Sequence, residues 1–144
     1  MRILNFFTTL LTTVLFIALL SGCAPTLANK QVMLPPGTLD AVAVEALFSG
    51  NTVESVIDKS GRISLTYYNP NGELRQLQKG KKRSGHWSVR SDGRICLQFE
   101  EQDRQCRIVV KEGTTYRKYI VKLDGNHEQI LTYRLFRAGN LVDK

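Results

Sequence analysis

The sequence predicts a mainly β fold: a small antiparallel up-and-down barrel or curved sheet with one helix at its N-terminal end. Three observations carry this. From Asn51 onward apolar residues alternate with a period of two. Turn-forming clusters separate the alternating segments at near-regular spacing, the pattern of a meander of short strands. One segment alone, Thr38–Ser49, has a clear helical apolar period.

In that segment Leu39, Val42, Ala43, Ala46 and Leu47 fall at i, i+3, i+4, i+7 and i+8, one apolar face. Thr38 is placed to cap the start, Asp40 suits the first turn, and Gly50 suits a left-handed end. Such a face packs on a sheet or plugs it, or else binds a partner.

The strands follow in order. Thr52–Ile57 precedes the turn Lys59-Ser60-Gly61, and Arg62–Tyr68 precedes the turn Asn69-Pro70-Asn71-Gly72. Glu73–Gln78 leads into a basic loop, Lys79-Gly80-Lys81-Lys82-Arg83. Gly85–Arg90 holds the single Trp, and Ser91-Asp92-Gly93 turns the chain into Arg94–Phe99. Arg104–Val110, Thr114–Val121 and His127–Arg137 complete eight strands. A barrel of eight strands is lipocalin-like in size, and its interior is filled by side chains or holds one small ligand. The alternation nominates Ile63, Leu65, Tyr67, Trp87, Leu97, Tyr133 and Leu135 as inward-facing, either as core or as the lining of a ligand pocket.

Length and charge narrow the function classes. At 144 residues the chain is too short for a doubly wound nucleotide-binding domain plus a substrate domain, or for an α/β barrel. With 42% hydrophobic and 23% charged residues it has the composition of a folded domain. The formal net charge is +7.

The N-terminal region reads as an address. Met1-Arg2 precedes the apolar run Ile3–Leu20, which ends in Leu20-Ser21-Gly22-Cys23. This tetrapeptide resembles the lipobox of bacterial lipoproteins. The resemblance implies a signal peptide over residues 1–22, cleavage before Cys23 and lipidation of Cys23. Ala24, where an inner-membrane lipoprotein has Asp, implies an outer-membrane lipoprotein facing the periplasm. A retained membrane anchor and an ordinary signal with an incidental Cys are the alternatives. Residues 23–37, with Pro25, Pro35 and Pro36, form an extended tether, part of which is able to dock as an edge strand. Residues 38–140 form one β domain and 141–144 a tail. An exported basic protein meets anionic lipid, lipopolysaccharide, cell-wall polymer or an envelope protein, and location argues against nucleic acid as a partner.

Cys96 and Cys106 are the remaining thiols, and an oxidising compartment favours a disulfide between them. If Glu100-Glu101-Gln102 is a hairpin loop, the two stand directly opposite. That register sets Cys96 on the face away from Ile95, Leu97 and Phe99, with Ile108 and Val110 on the Cys106 face. Either both faces are partly buried or a bulge shifts one strand.

No catalytic or cofactor motif is present, and no metal-ligand spacing. His86 beside Trp87 reads as a surface residue, His127 as solvated at a strand start, and Glu100 and Glu101 as hairpin-tip acids. The most distinctive chemistry is basic: Lys79, Lys81, Lys82 and Arg83 either contact an anionic surface or simply protect a sheet edge.

Five segments together resemble a family of small exported proteobacterial proteins catalogued as a domain of unknown function, DUF995. They are Leu47-Phe48-Ser49-Gly50-Asn51-Thr52-Val53, Asn71-Gly72, Ser84-Gly85-His86-Trp87-Ser88-Val89, Asp92–Phe99 with Cys106, and Ala138-Gly139-Asn140. The resemblance spans Glu45–Asn140 and implies an antiparallel β domain with a Cys96–Cys106 pair. It brings no activity and no functional residues. The expected role is non-enzymatic binding of a small apolar or amphipathic ligand, with an envelope accessory or inhibitor protein as the alternative.

Overall fold

The computed structural model describes residues 33–100 and 102–144. The leader, Cys23 and most of the tether lie outside these residues, as does Glu101. A short helix, α1 (Ala41–Phe48), leads into β1 (Asn51–Ile57), β2 (Arg62–Tyr68), β3 (Glu73–Gln78), β4 (Lys81–Val89), β5 (Ile95–Phe99), β6 (Gln105–Glu112), β7 (Thr115–Val121) and β8 (His127–Ala138). Each strand pairs antiparallel with the next, and β8 pairs with β1 to close the barrel. Of the two architectures the sequence allowed, the closed one forms.

Two elements differ from expectation. The helix begins three residues later than Thr38, because Asp40 takes the cap: its Oδ1 accepts from Ala43 N at 2.8 Å. Its buried stripe is Val44 and Phe48, while Val42 is 78% exposed. The segment Ala41–Phe48 is apolar on nearly every side, so periodicity alone did not select the buried one. The basic loop is also shorter than expected. Only Lys79 (φ 52°) and Gly80 (φ 73°) turn, as a two-residue hairpin loop that pairs Gln78 with Lys81. Lys81, Lys82 and Arg83 therefore belong to β4.

The helix plugs one end of the barrel. Phe48 packs edge-to-face on Tyr68, Tyr133 and Phe136, with ring centroids 4.9, 5.1 and 5.6 Å away. Tyr68 meets Trp87 at 5.4 Å, and the indole Nε1 donates to Asn69 O at 2.7 Å. Val44, Val53, Leu74, Ile95 and Val109 complete this core.

The chain before α1 closes a gap in the wall. β5 meets β6 only at residues 95–97 and 105–107, so Ile108–Val110 lack a β5 partner. The segment Gly37–Leu39 takes its place. Leu39 N donates to Val109 O at 2.8 Å, Lys111 N donates to Gly37 O at 2.9 Å, and Thr38 bridges Val110. Gly93 is required beside it: its φ is +79°, and a Cβ there would lie 2.5 Å from Leu39 O. Cys96 pairs with Cys106 in the ladder and the two are disulfide-bonded. Cys96, Ile108 and Val110 are all buried. Both faces of this part of the wall are thus covered, and the pairing needs no bulge.

The C-terminal residues are not a free tail. Thr52 Oγ1 donates to Gly139 O at 2.6 Å and accepts from Leu141 N at 3.0 Å. Val142 is buried, and Asp143 reaches Arg75 and Lys82. Because Tyr67 stands between Thr52 and Arg75 in the ladder, residues 141–143 cross the wall over it.

Two stability outcomes are expected in guanidinium titrations. Phe48→Ala loses about 3–5 kcal/mol by removing the plug's largest buried side chain, whereas Val42→Ala stays within about 0.5 kcal/mol. Replacing both Cys96 and Cys106 by Ser costs about 2–3 kcal/mol, the loop-closure value for a bridge spanning a separation of 10 residues.

Candidate functional site

The end of the barrel opposite α1 opens into a cavity of about 250 Å³. The β5–β6 hairpin residues Gln102 and Asp103 border its mouth. Its lining shows which strand faces point inward, and β2 is the main surprise. Ser64, Thr66 and Tyr68 line the interior, so Ile63, Leu65 and Tyr67 point out of the barrel. Ile63 is 50% exposed, while Leu65 and Tyr67 are half-buried on the outer wall. The sequence suggested the reverse because the outer face of β2 is the more apolar one.

Trp87, Leu97 and Tyr133 do face inward, but they divide by depth. Trp87 belongs to the plugged core, and Leu97 and Tyr133 line the cavity. Leu135 is turned outward by a β-bulge. Ser55 pairs with Tyr133 and Glu54 with Leu135, which leaves Arg134 as the extra residue. Phe136 takes the inward place beyond it, against Phe48.

The cavity walls are polar. Ser55 and Ser64 are ladder partners whose hydroxyls bond each other at 2.9 Å. In the next row Gln76 Nε2 donates to Thr66 Oγ1 at 2.8 Å, and Arg83 Nε donates to Gln76 Oε1 at 2.7 Å. The Arg83 guanidinium lies 4.0 Å from the centre of the Phe99 ring. Arg83 therefore serves the cavity wall near the mouth. Lys82 points outward to Asp143, and Lys79 and Lys81 remain exposed at the rim. The four basic residues grouped by the sequence thus divide: Lys79 lies in the turn, and the other three are split between the two faces of β4.

Two further residues, Lys118 and Arg107, are not singled out by the sequence. Lys118 lines the cavity and is only 5% exposed. In the ladder it lies between Val109 and Leu131, and its Nζ sits 5.6 Å from the Tyr133 ring centre. Burial, and secondarily the charge of Arg107, lowers its pKa to about 7. Arg107, one inward position along β6 from Val109, donates from Nη1 to Cys106 O at 2.9 Å and from Nη2 to Gln105 Oε1 at 3.1 Å. Its Nε is buried without a partner among the described residues. The same holds for the Tyr133 hydroxyl, whose residue is 4% exposed. Burial holds both Tyr133 and Tyr68 well above the usual phenol range. Among the described residues neither Lys118 nor Arg107 has an ion-pair partner.

The arrangement is a small polar chamber with excess positive charge: Lys118 lies deep in it, and Arg107, half-buried, lies one inward position nearer the mouth. An apolar strip of Ile57, Ile130 and Leu131 runs along one wall, with Leu97 and Phe99 on another. His86 is exposed on the outside, and among the described residues no histidine lines the chamber. Comparison with protein-family models, curated proteins and solved structures finds no match to this chain.

Burial of Lys118 makes stability depend on pH. Its pKa falls on folding, so the unfolded chain binds more protons between pH of about 7 and about 10.4, and stability rises with pH across that window. The titratable groups facing it across the chamber are Arg83, Arg107, Tyr68, Tyr133 and Asp103. Lys118→Met, similar in volume and uncharged, is expected to be more stable than the parent at pH 6 by on the order of 1–3 kcal/mol. The gain should shrink as pH approaches 10. Urea denaturation at pH 6 and pH 9.5 checks this, and an equal gain at both would contradict it.

Proposed function

We propose that this chain is a lipid-anchored protein of the bacterial cell envelope whose barrel binds a small amphipathic ligand without chemical conversion. The observation that supports it best is the asymmetry of the interior. One end is filled by α1 and its aromatic partners, and the other is hollow. A packed eight-stranded barrel needs large side chains throughout, yet Ser55, Ser64 and Thr66 stand at cavity positions.

Size restricts the ligand. A volume of 250 Å³ equals about eight liquid-water volumes and lies just below the usual range for drug-sized molecules. The ligand is a small molecule, or one end of a longer one that leaves through the mouth. Of the two expected ligand types, apolar or amphipathic, the polar lining favours the amphipathic one. The Leu20-Ser21-Gly22-Cys23 motif supports anchoring through Cys23 at the periplasmic face of the outer membrane. Exposed Lys79 and Lys81 at the rim would draw anionic lipid or lipopolysaccharide groups toward the mouth. The Ser55 and Ser64 hydroxyls bond each other instead of a general base, which favours binding over hydrolysis.

Expression of the full chain in a Gram-negative host tests both parts. Palmitate labelling and globomycin sensitivity are expected, and both should vanish in Cys23→Ser. Native mass spectrometry of the protein in neutral detergent should show a reproducible extra mass that is lost on denaturation. An unlabelled, uncleaved chain would exclude the anchor. A bare protein that takes up no small amphipath from a screen would exclude the ligand.

A further inference from the structure

We propose that Lys118, Arg107 and the Tyr133 hydroxyl form an anion-binding floor that takes the carboxylate or phosphate head of a short amphipathic molecule, head first. This rests on the small-ligand reading and assigns the chemistry of its ligand.

The first argument is electrostatic. A buried ammonium is strongly unfavourable without a counter-charge. Lys118 has none among the described residues, and Arg107, on the adjacent strand, adds a second positive charge. The one described acid in the lining, Asp103, is on the exposed β5–β6 hairpin at the mouth. An anion bound at the floor supplies the missing charge.

The second argument is hydrogen bonding, and it is independent of the first. Buried polar atoms are nearly always paired. Here two buried donors of the same chamber lack a close hydrogen-bond partner among the described residues: Arg107 Nε, and the Tyr133 hydroxyl, which has only the Tyr68 hydroxyl beside it. Several other polar groups on the walls are matched with one another: Ser55 with Ser64, and Gln76 with Thr66 and Arg83. Unused donor capacity is thus concentrated where the positive charge lies. Carboxylate and phosphate oxygens accept several charge-assisted bonds at once. A cationic head would leave those donors unmatched, and a neutral oxygen would accept from them without the charge assistance an anion gives.

The third argument gives the orientation. Ile57, Ile130 and Phe99 lie toward the mouth, whereas Lys118 and Tyr133 lie deeper, next to the plug. A head bound to Lys118 directs a short chain outward along this apolar strip.

Isothermal titration of the full-length protein in a neutral detergent, with hexanoate, hexyl phosphate, hexanol and hexylamine as probes, tests the assignment. One of the two anions should bind saturably and at least tenfold more tightly than hexanol or hexylamine. The tighter of the two identifies the head group. Lys118→Met and Tyr133→Phe should each weaken that anion about tenfold or more and leave hexanol unchanged. Lys118→Met is expected to fold at least as stably as the parent, so its loss of binding is not a folding defect. Anion affinity of the parent should fall between pH 6 and pH 9 as Lys118 loses its proton, and this dependence should be absent in Lys118→Met. If hexanol or hexylamine binds as tightly as the anions, or if neither variant weakens the anion, the anion floor is overturned while the cavity reading stands. If none of the four binds saturably, both are overturned.

Discussion

The insertion of Phe48 into one end of the barrel is the contact on which the other features depend. An eight-stranded barrel has an interior just wide enough to be filled by its own side chains or to hold one small ligand. Here the filling comes from outside the strands at one end only. Phe48 gathers Tyr68, Tyr133 and Phe136 around it, with Val44 beside it in the same core. With that end occupied, the walls at the other end carry short polar side chains, and a chamber remains. The same helix fixes the course of the chain before it. Gly37–Leu39 is thereby positioned to continue the wall beside β6 where β5 has ended.

The chamber combines features that oppose stability. Lys118 is buried beside another cation, and two donors have no partner among the described residues. Each is unfavourable in a protein interior. The surrounding core is well packed and the barrel is tied by a disulfide, so the structure tolerates the cost. Sites of this kind, where local rules of burial are broken inside an otherwise consistent fold, are where function is to be sought.

Much of the architecture was legible in the sequence because it rests on local rules. β2 and β3 match their expected bounds, since the Asn69–Gly72 cluster can do little other than turn. Cys96 and Cys106 oppose each other as the hairpin register required. The candidate site was only partly legible. Leu97 and Tyr133 line the chamber. Ile63, Leu65 and Tyr67 were assigned to the wrong side because alternation shows that two faces differ, not which of them is inside. A hollow barrel reverses the usual choice: its interior face on β2 is Ser64, Thr66 and Tyr68. Leu135 was misplaced by a bulge at Arg134, which one strand read alone does not reveal. Lys118 gave no signal, because a lysine in an alternating strand reads as solvent-facing.

The sequence by itself determined the strand count, most of the turn positions, the antiparallel meander and the opposed cysteines. These follow from backbone preferences and from pairing between neighbours in the chain. Tertiary structure alone decided closure of the barrel, the choice of its polar face as the interior, the burial of Lys118 and the docking of both chain ends on the wall. These depend on which residues meet across the barrel, such as Phe48 with Tyr133 or Thr52 with Leu141. Such contacts join parts of the chain more than eighty residues apart, beyond the reach of any local pattern.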